Sequence, residues 1–150
     1  MKNVFAAVIS MLPFCNGYAQ QLKESEIPAL VKAKFVSLYP GTKNVKWEKE
    51  DNKYEAGFKQ DKTETSVLID ATGNMVETET EIAVSSLPQA VAAYVLKNLA
   101  GKKIKEASKI VSASGVVMYE AEVDGVDYIF DANGNFIKKE TDEPQDKEDD

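Results

Sequence analysis

No histidine occurs anywhere in the 150 residues. That absence removes serine–histidine–aspartate triads, histidine-bound zinc and the usual proton shuttle near neutral pH. Cysteine is present once, as Cys15, so no disulfide can close within the chain. The eight glycines are dispersed, forming neither a phosphate-cradling loop nor a nucleophile elbow, and "SASG" at Ser112 reads as a turn between strands. Lys and Arg number 18 against 25 Asp and Glu, a formal charge of −7, and no basic cluster interrupts that balance. A surface of this sign repels phosphate backbones, so nucleic acid is not an expected partner. Without a site that chemistry would recognise, the expectation is a protein that is not an enzyme and takes no cofactor or metal.

Long apolar runs are also missing, and the longest stretch, Val4 to Phe14, is too short to span a bilayer. It sits in "MKNVFAAVISMLPFCNGYA", after Lys2 and before the small-x-small sequence Gly17-Tyr18-Ala19. Residues 1–19 are therefore expected to be a secretory signal cleaved after Ala19, and the protein to be exported, to a periplasm or the medium. No stable membrane insertion is expected after cleavage. Cys15 raises lipidation as the alternative, but Pro13-Phe14 stand where a lipoprotein signal carries small residues. At the other end "TDEPQDKEDD", residues 141–150, is acidic and has no apolar residue. It reads as a solvated tail.

What is present between the ends comes twice. "SEIPALVKAKF" from Ser25 matches "SSLPQAVAAYV" from Ser85, and Ile27, Val31, Phe35 and Tyr39 recur as Leu87, Val91, Val95 and Leu99. Apolar residues stepping by four mark one face of a helix. Ser25 and Ser85 are placed to cap these helices, Pro28 and Pro88 fall in their first turns, and Gly41 and Gly101 end them. The period then changes to two in "YEAGF" and "YEAEV", beginning at Tyr54 and Tyr119. Each unit predicts one helix followed by four antiparallel strands, in the first unit Val45–Lys49, Lys53–Lys59, Glu64–Asp70 and Asn74–Glu81. The units span 20–82 and 83–140.

"DATGN" from Asp70 and "DANGN" from Asp131 join the last two strands of each unit. Glycine where φ must be positive, and an aspartate able to accept from backbone N–H groups two residues on, make a tight hairpin turn. A calcium loop would need alternating acidic oxygens and a closing glutamate, which are missing.

With "LYPG" after the first helix, "VKWE" entering a strand, "YEAGF"/"YEAEV" and the two Asp-x-x-Gly-Asn turns, the chain from Glu24 to about Glu140 resembles the PepSY-like family. The resemblance implies a fold similar to that of the β-lactamase inhibitory protein. It also implies an exported small protein that binds or inhibits other proteins, with no catalytic residues. The second copy departs from the pattern, since Leu99-Ala100-Gly101 replaces Tyr39-Pro40-Gly41 and Trp47 has no aromatic counterpart.

The fold expected is α+β, two tandem helix-plus-four-strand repeats sharing one antiparallel sheet with the helices on one face. Alternation puts Tyr54, Ala56, Phe58, Val67, Ile69, Tyr119, Ala121, Val123, Tyr128 and Phe130 under the helices. The opposite face carries Glu55, Leu68, Met118, Glu120, Glu122 and Ile129. Leu68 and Ile129 are the expected apolar centre of a site for an unidentified protein or peptide, Met118 beside them and the three glutamates as a rim. The alternative function is a carrier of a small ligand or cation.

Overall fold

Proline sets where both helices begin. Pro28 and Pro88 take the N-cap positions of α1 (Ala29–Leu38) and α2 (Gln89–Asn98), with φ of −56° and −53°. A residue before proline is pushed out of the helical region, and Ile27 and Leu87 are extended, with ψ of 129° and 148°. The helices cannot reach back past them. Ser25 and Ser85 therefore do not cap, contrary to expectation; they lie in short 3-10 turns, Glu24–Glu26 and Val84–Ser86, and neither α-helix has a side-chain cap. At the other ends the Tyr39 N–H donates to the Phe35 carbonyl and the Leu99 N–H to the Val95 carbonyl, each at 2.9 Å.

The computed structural model describes residues 20–50 and 52–141. The expected signal over 1–19 and tail residues 142–150 lie outside the described residues, while Thr141 ends the last strand. Nine strands form one antiparallel sheet in chain order: β1 Gln20–Leu22, β2 Lys46–Glu50, β3 Lys53–Gln60, β4 Thr63–Asp70, β5 Met75–Glu81, β6 Glu106–Ser112, β7 Val117–Val123, β8 Val126–Asp131 and β9 Phe136–Thr141. The four strands after α1 begin and end within one residue of the boundaries the alternation predicts. The order helix then four strands occurs twice, and β5 pairs with β6 from Glu77↔Ser112 to Glu81↔Ser108, so the sheet is continuous across the middle. β1 has no forecast in the sequence, because three residues are too few to show alternation; its Leu22 packs against the core.

The core lies between the helices and one face of the sheet, as the alternation predicts. Ile27, Val31 and Phe35 pack on Trp47, Ala56, Phe58, Val67 and Ile69. Phe35 meets Trp47 and Phe58 edge-on, each with ring centroids 5.3 Å apart, the geometry the ring quadrupole favours. Under α2, Val91, Ala121 and Phe130 form a smaller cluster with Tyr94 against it. Tyr94 stacks on Phe136 at 4.9 Å.

Two hairpins close on pairs of residues with positive φ: Asp61 and Lys62 (50° and 72°), and Asp124 and Gly125 (55° and 75°). Such turns match the twist of the strands they join and favour glycine at the second position. Lys62→Gly should therefore raise stability by about 0.5–1 kcal/mol. A denaturation midpoint that stays put or falls would count against this.

The two Asp-x-x-Gly-Asn turns are built alike. Asp70 Oδ1 accepts from the Thr72 and Asn74 N–H groups at 2.8 and 2.9 Å, and its Oδ2 from Asn74 Nδ2 at 3.0 Å. Asp131 accepts from the Asn133 and Asn135 N–H groups at 2.8 and 2.9 Å and from Asn135 Nδ2 at 2.8 Å. These donors hold both carboxyls below the usual range, Asp70 through the Thr72 hydroxyl first and Asp131 through the Asn135 amide first. A bulge precedes the turn in each case, between Leu68 and Ile69 and between Ile129 and Phe130.

Candidate functional site

The sheet face turned away from the helices is not open. Leu68 is 8% exposed and Ile129 3%, and the expected rim is equally covered, Glu120 at 3% and Glu122 at 9%. Glu55 and Met118 are half-buried. The expectation of two exposed apolar residues ringed by solvated acids is corrected on this point. Alternation tells which side of the sheet a residue occupies; it does not tell whether that side meets water.

Both faces of β4 and β7 are buried, at Val67 to Ile69 and at Glu120 to Val123, although the helices lie on only one, and the charges that act across the sheet agree. The Glu55 charge acts on Glu120, and the charges of Lys138 and Glu140 act on Glu77. Each pair is separated by four strand positions, which in a flat sheet would be about 19 Å. Charges that far apart would be screened. The sheet therefore curls, through the coiling inherent to twisted strands, until its two halves face each other across a concave inner surface. Register places Glu55 beside Leu68, Leu68 beside Glu77, and Glu120 beside Ile129.

Of the expected site residues, Glu55, Leu68, Glu120 and Ile129 thus share the inner face, with Met118 next to Ile110 on the same side. Glu122 is bound to another role, with Lys105 Nζ 3.2 Å from its Oε1. The residue missed by sequence reasoning is Glu79. It alternates with Glu77 and Glu81 in "ETETE" and pairs across β4 with Ser66, so its side was legible, whereas its burial was not.

Glu79 is 3% exposed, and neither carboxyl oxygen receives a hydrogen bond. The Ser108 hydroxyl lies close enough to favour the charged form, but not in bonding geometry, and burial outweighs it. Burial first, and then the charge of Glu120, push Glu79 well above the carboxylate range. Burial and the nearby Asp127 push Glu120 to about 8. Glu55 is raised to about 7 by burial, against the Ser66 hydroxyl. Glu77 is raised less, because Lys53 and Lys138 offset its burial. A buried carboxylate without partners is costly, and such groups take up a proton instead.

At one end of this face, where β2–β5 meet the loop 41–44, a cavity of about 610 Å³ opens. Glu79, Glu55 and Ser66 line it, with Lys43, Lys46 and Lys59 at exposed positions. Beside it a second void of about 10 Å³ is lined by Glu50, Glu55, Ser66, Leu68, Glu77 and Glu79. Among the described residues no three acidic or cysteine side chains converge as a metal ion requires. No helix among them is long and apolar enough to cross a membrane.

Comparison with known proteins identifies the fold and the family. The beta-lactamase-inhibitor-like, PepSY-like family model matches residues 15–77 and again 62–138. A DUF2874 family protein from Bacteroides uniformis is similar in fold, with a TM-score of 0.65 at 21% identity over 75% of this chain and 88% of that one. A BLIP-like protein from Bacteroides fragilis gives 0.60 at 23% identity over 80% and 90%. A protein from Bacteroides eggerthii described as periplasmic gives 0.65 at 16% identity over 75% and 87%. Among curated proteins none matches.

Proposed function

The chain belongs to the beta-lactamase-inhibitor-like, PepSY-like family, and from that premise we propose that it is an exported binding module whose cavity at one end of the inner face receives a segment of another protein or a peptide. The observation that carries this reading is Glu79, buried without a hydrogen-bond partner at the wall of a 610 Å³ cavity. A fold selected only for stability gains nothing from such a group, since an apolar residue there would be neutral or better. A bound partner supplies the missing contacts. Leu68 and Ile129 then act as the packed floor that shapes the face, while Glu55 and Glu120 supply carboxyl groups that a partner's charge can ionise. The matched twin turns, twin proline starts and twin helices support a duplication of one unit, residues 20–82 and 83–140. The chain is not an enzyme in this reading, and the periplasm is the compartment where it works.

The cavity volume of about 610 Å³ also falls within the range of small-ligand sites, which favours a carrier of a small ligand as the second reading.

A photo-crosslinking residue at Glu81, at the cavity, and another at Leu96, 72% exposed on α2, separate the alternatives in the producing cell. Discrete protein adducts from position 81 and none from position 96 are expected. Adducts from 96 alone would place the binding surface on the helices and overturn the inner-face reading.

A further inference from the structure

The charges that act on Glu79 are Glu120, Glu55 and Asp127, and those that act on Glu55 are Glu48 and Glu77. Every one is a carboxylate. By contrast the neighbouring acids have cations: Glu77 has Lys53 and Lys138, and Glu122 has Lys105. Glu79 and Glu55 also line both voids, the large cavity and the small one behind it. The two voids thus adjoin at Glu55, Ser66 and Glu79, and the smaller, of about 10 Å³, is close to the space of a single water-sized group.

We infer that this pair of adjoining voids accepts a primary alkylammonium group, its nitrogen in the small pocket against Glu79 and Glu55 and its methylene stem along the cavity. The inference deepens the binding reading above and rests on it. Three observations define the chemistry. An ammonium is a compact point charge with three donors, matched to a pocket that four glutamates line and that has room for one such group. A guanidinium is planar and wider than the pocket. A calcium ion needs six to eight oxygens at one point, and the carboxylates do not converge in that way.

The mouth adds a second feature. Lys59 is neutralised by Glu64 at 2.8 Å, while Lys43 and Lys46 stand exposed at the cavity wall. Glu81 is exposed beside them and Glu48 lines the wall, so the mouth carries both signs above an anionic floor. That suits a lysine side chain within a polypeptide, whose amide groups meet the mouth while its ammonium reaches the floor. Binding would draw Glu79 and Glu55 into their charged forms and release protons at neutral pH, with Glu48, Glu50, Glu77, Glu120 and Asp127 as the other acids facing them and Lys53 and Lys138 as the facing cations.

The test is titration of the full chain at pH 7.5, followed by amide NMR shifts and by calorimetry in two buffers of different ionisation enthalpy. The probes are acetyl-Gly-Lys-Gly-amide, the same peptide with norleucine, cadaverine and calcium chloride. The lysine peptide or cadaverine should bind at least tenfold more tightly than the norleucine peptide, with buffer-dependent heat from proton release. Glu79→Gln and Glu55→Gln, which keep shape and remove charge, should each weaken ammonium binding at least tenfold and leave the fold intact. Tighter binding of the peptide assigns the group to a partner's lysine, and tighter binding of cadaverine to a free diamine. Equal binding of norleucine, preferential binding of calcium, or unchanged affinity in both glutamine variants overturns the inference. If adducts form at position 81 yet no ammonium probe binds, the ammonium assignment fails alone. If probes bind and no adducts form, the polypeptide partner is what fails.

Discussion

Stability is expected to fall steadily between pH 5 and pH 9, by about 3–6 kcal/mol in all. The cause is the acidic inner face. In the folded protein Glu55 holds its proton to about pH 7 and Glu120 to about pH 8, and Glu79 is raised as well. In the unfolded chain each releases its proton near the ordinary value of 4.5. Over the interval between those values the native state binds more protons than the unfolded state, so stability decreases with rising pH. For Glu55 alone the difference corresponds to about 3 kcal/mol once ionisation is complete, and local opening that admits water caps the sum for the coupled group. Below pH 4 the sign reverses, because Asp70 and Asp131 have lowered values and lose their turn hydrogen bonds on protonation. The optimum should therefore lie near pH 5.

The absence of histidine makes this a clean measurement. Ordinary carboxylates are fully ionised by pH 6 and lysines titrate above pH 9, so a slope between those limits belongs chiefly to the inner-face glutamates. Urea midpoints at pH 5, 7 and 9 give the profile. Glu79→Gln and Glu120→Gln should flatten it and leave each variant more stable than the parent at pH 9. A parent profile that is level or rising from pH 6 to 9 would show that these carboxyls are solvated, and the curled sheet would have to be reconsidered.

That acid-lined interior marks the border of what the sequence disclosed. Strand positions were legible because Tyr54, Ala56 and Phe58 alternate with polar residues, and the helix faces because Val31 and Phe35 recur at four. These are local periodicities, written in neighbouring letters. The exposure of Leu68 and Ile129 depends on how far nine strands coil, which accumulates from small twists spread over the whole sheet. No single segment records it. Glu79 shows the same division: its side of the sheet follows from "ETETE", but its burial follows from the coiling of the whole sheet. Ser25 and Ser85 failed as caps for a local reason that was available, since Pro28 and Pro88 hold the preceding residues extended. The twin turns were read correctly as turns, yet the sequence contained no sign of what they touch.

What they touch gives the other large expected effect. Gly134 has φ of +83°, and a Cβ there would lie 2.9 Å from the Ala90 Cβ, 3.1 Å from the Pro88 Cβ and 3.2 Å from the Val91 nitrogen. Gly73 repeats the arrangement against α1, with 3.0 Å to the Leu30 carbonyl oxygen. Each turn therefore sits against the first turn of its helix, and glycine serves both as a left-handed residue and as a point of close approach. Gly134→Ala combines backbone strain of about 1–2 kcal/mol with overpacking of about 1–3 kcal/mol, so a loss of about 3–4 kcal/mol is expected. Gly125 separates the two contributions, because it too has positive φ, +75°, but nothing lies within 4 Å of its Cβ position. Gly125→Ala should cost only the strain, about 1–2 kcal/mol. Neither loss should depend on calcium, since the Asp131 oxygens already accept from Asn133 and Asn135. Urea denaturation of both variants, with calcium and with chelator, decides the matter. Equal losses at the two sites would show that the helix yields to the turn. A calcium-dependent loss at Gly134 would mean that the turn binds metal. A loss about twofold larger at Gly134, indifferent to calcium, would show that these turns fix how each helix lies on the sheet.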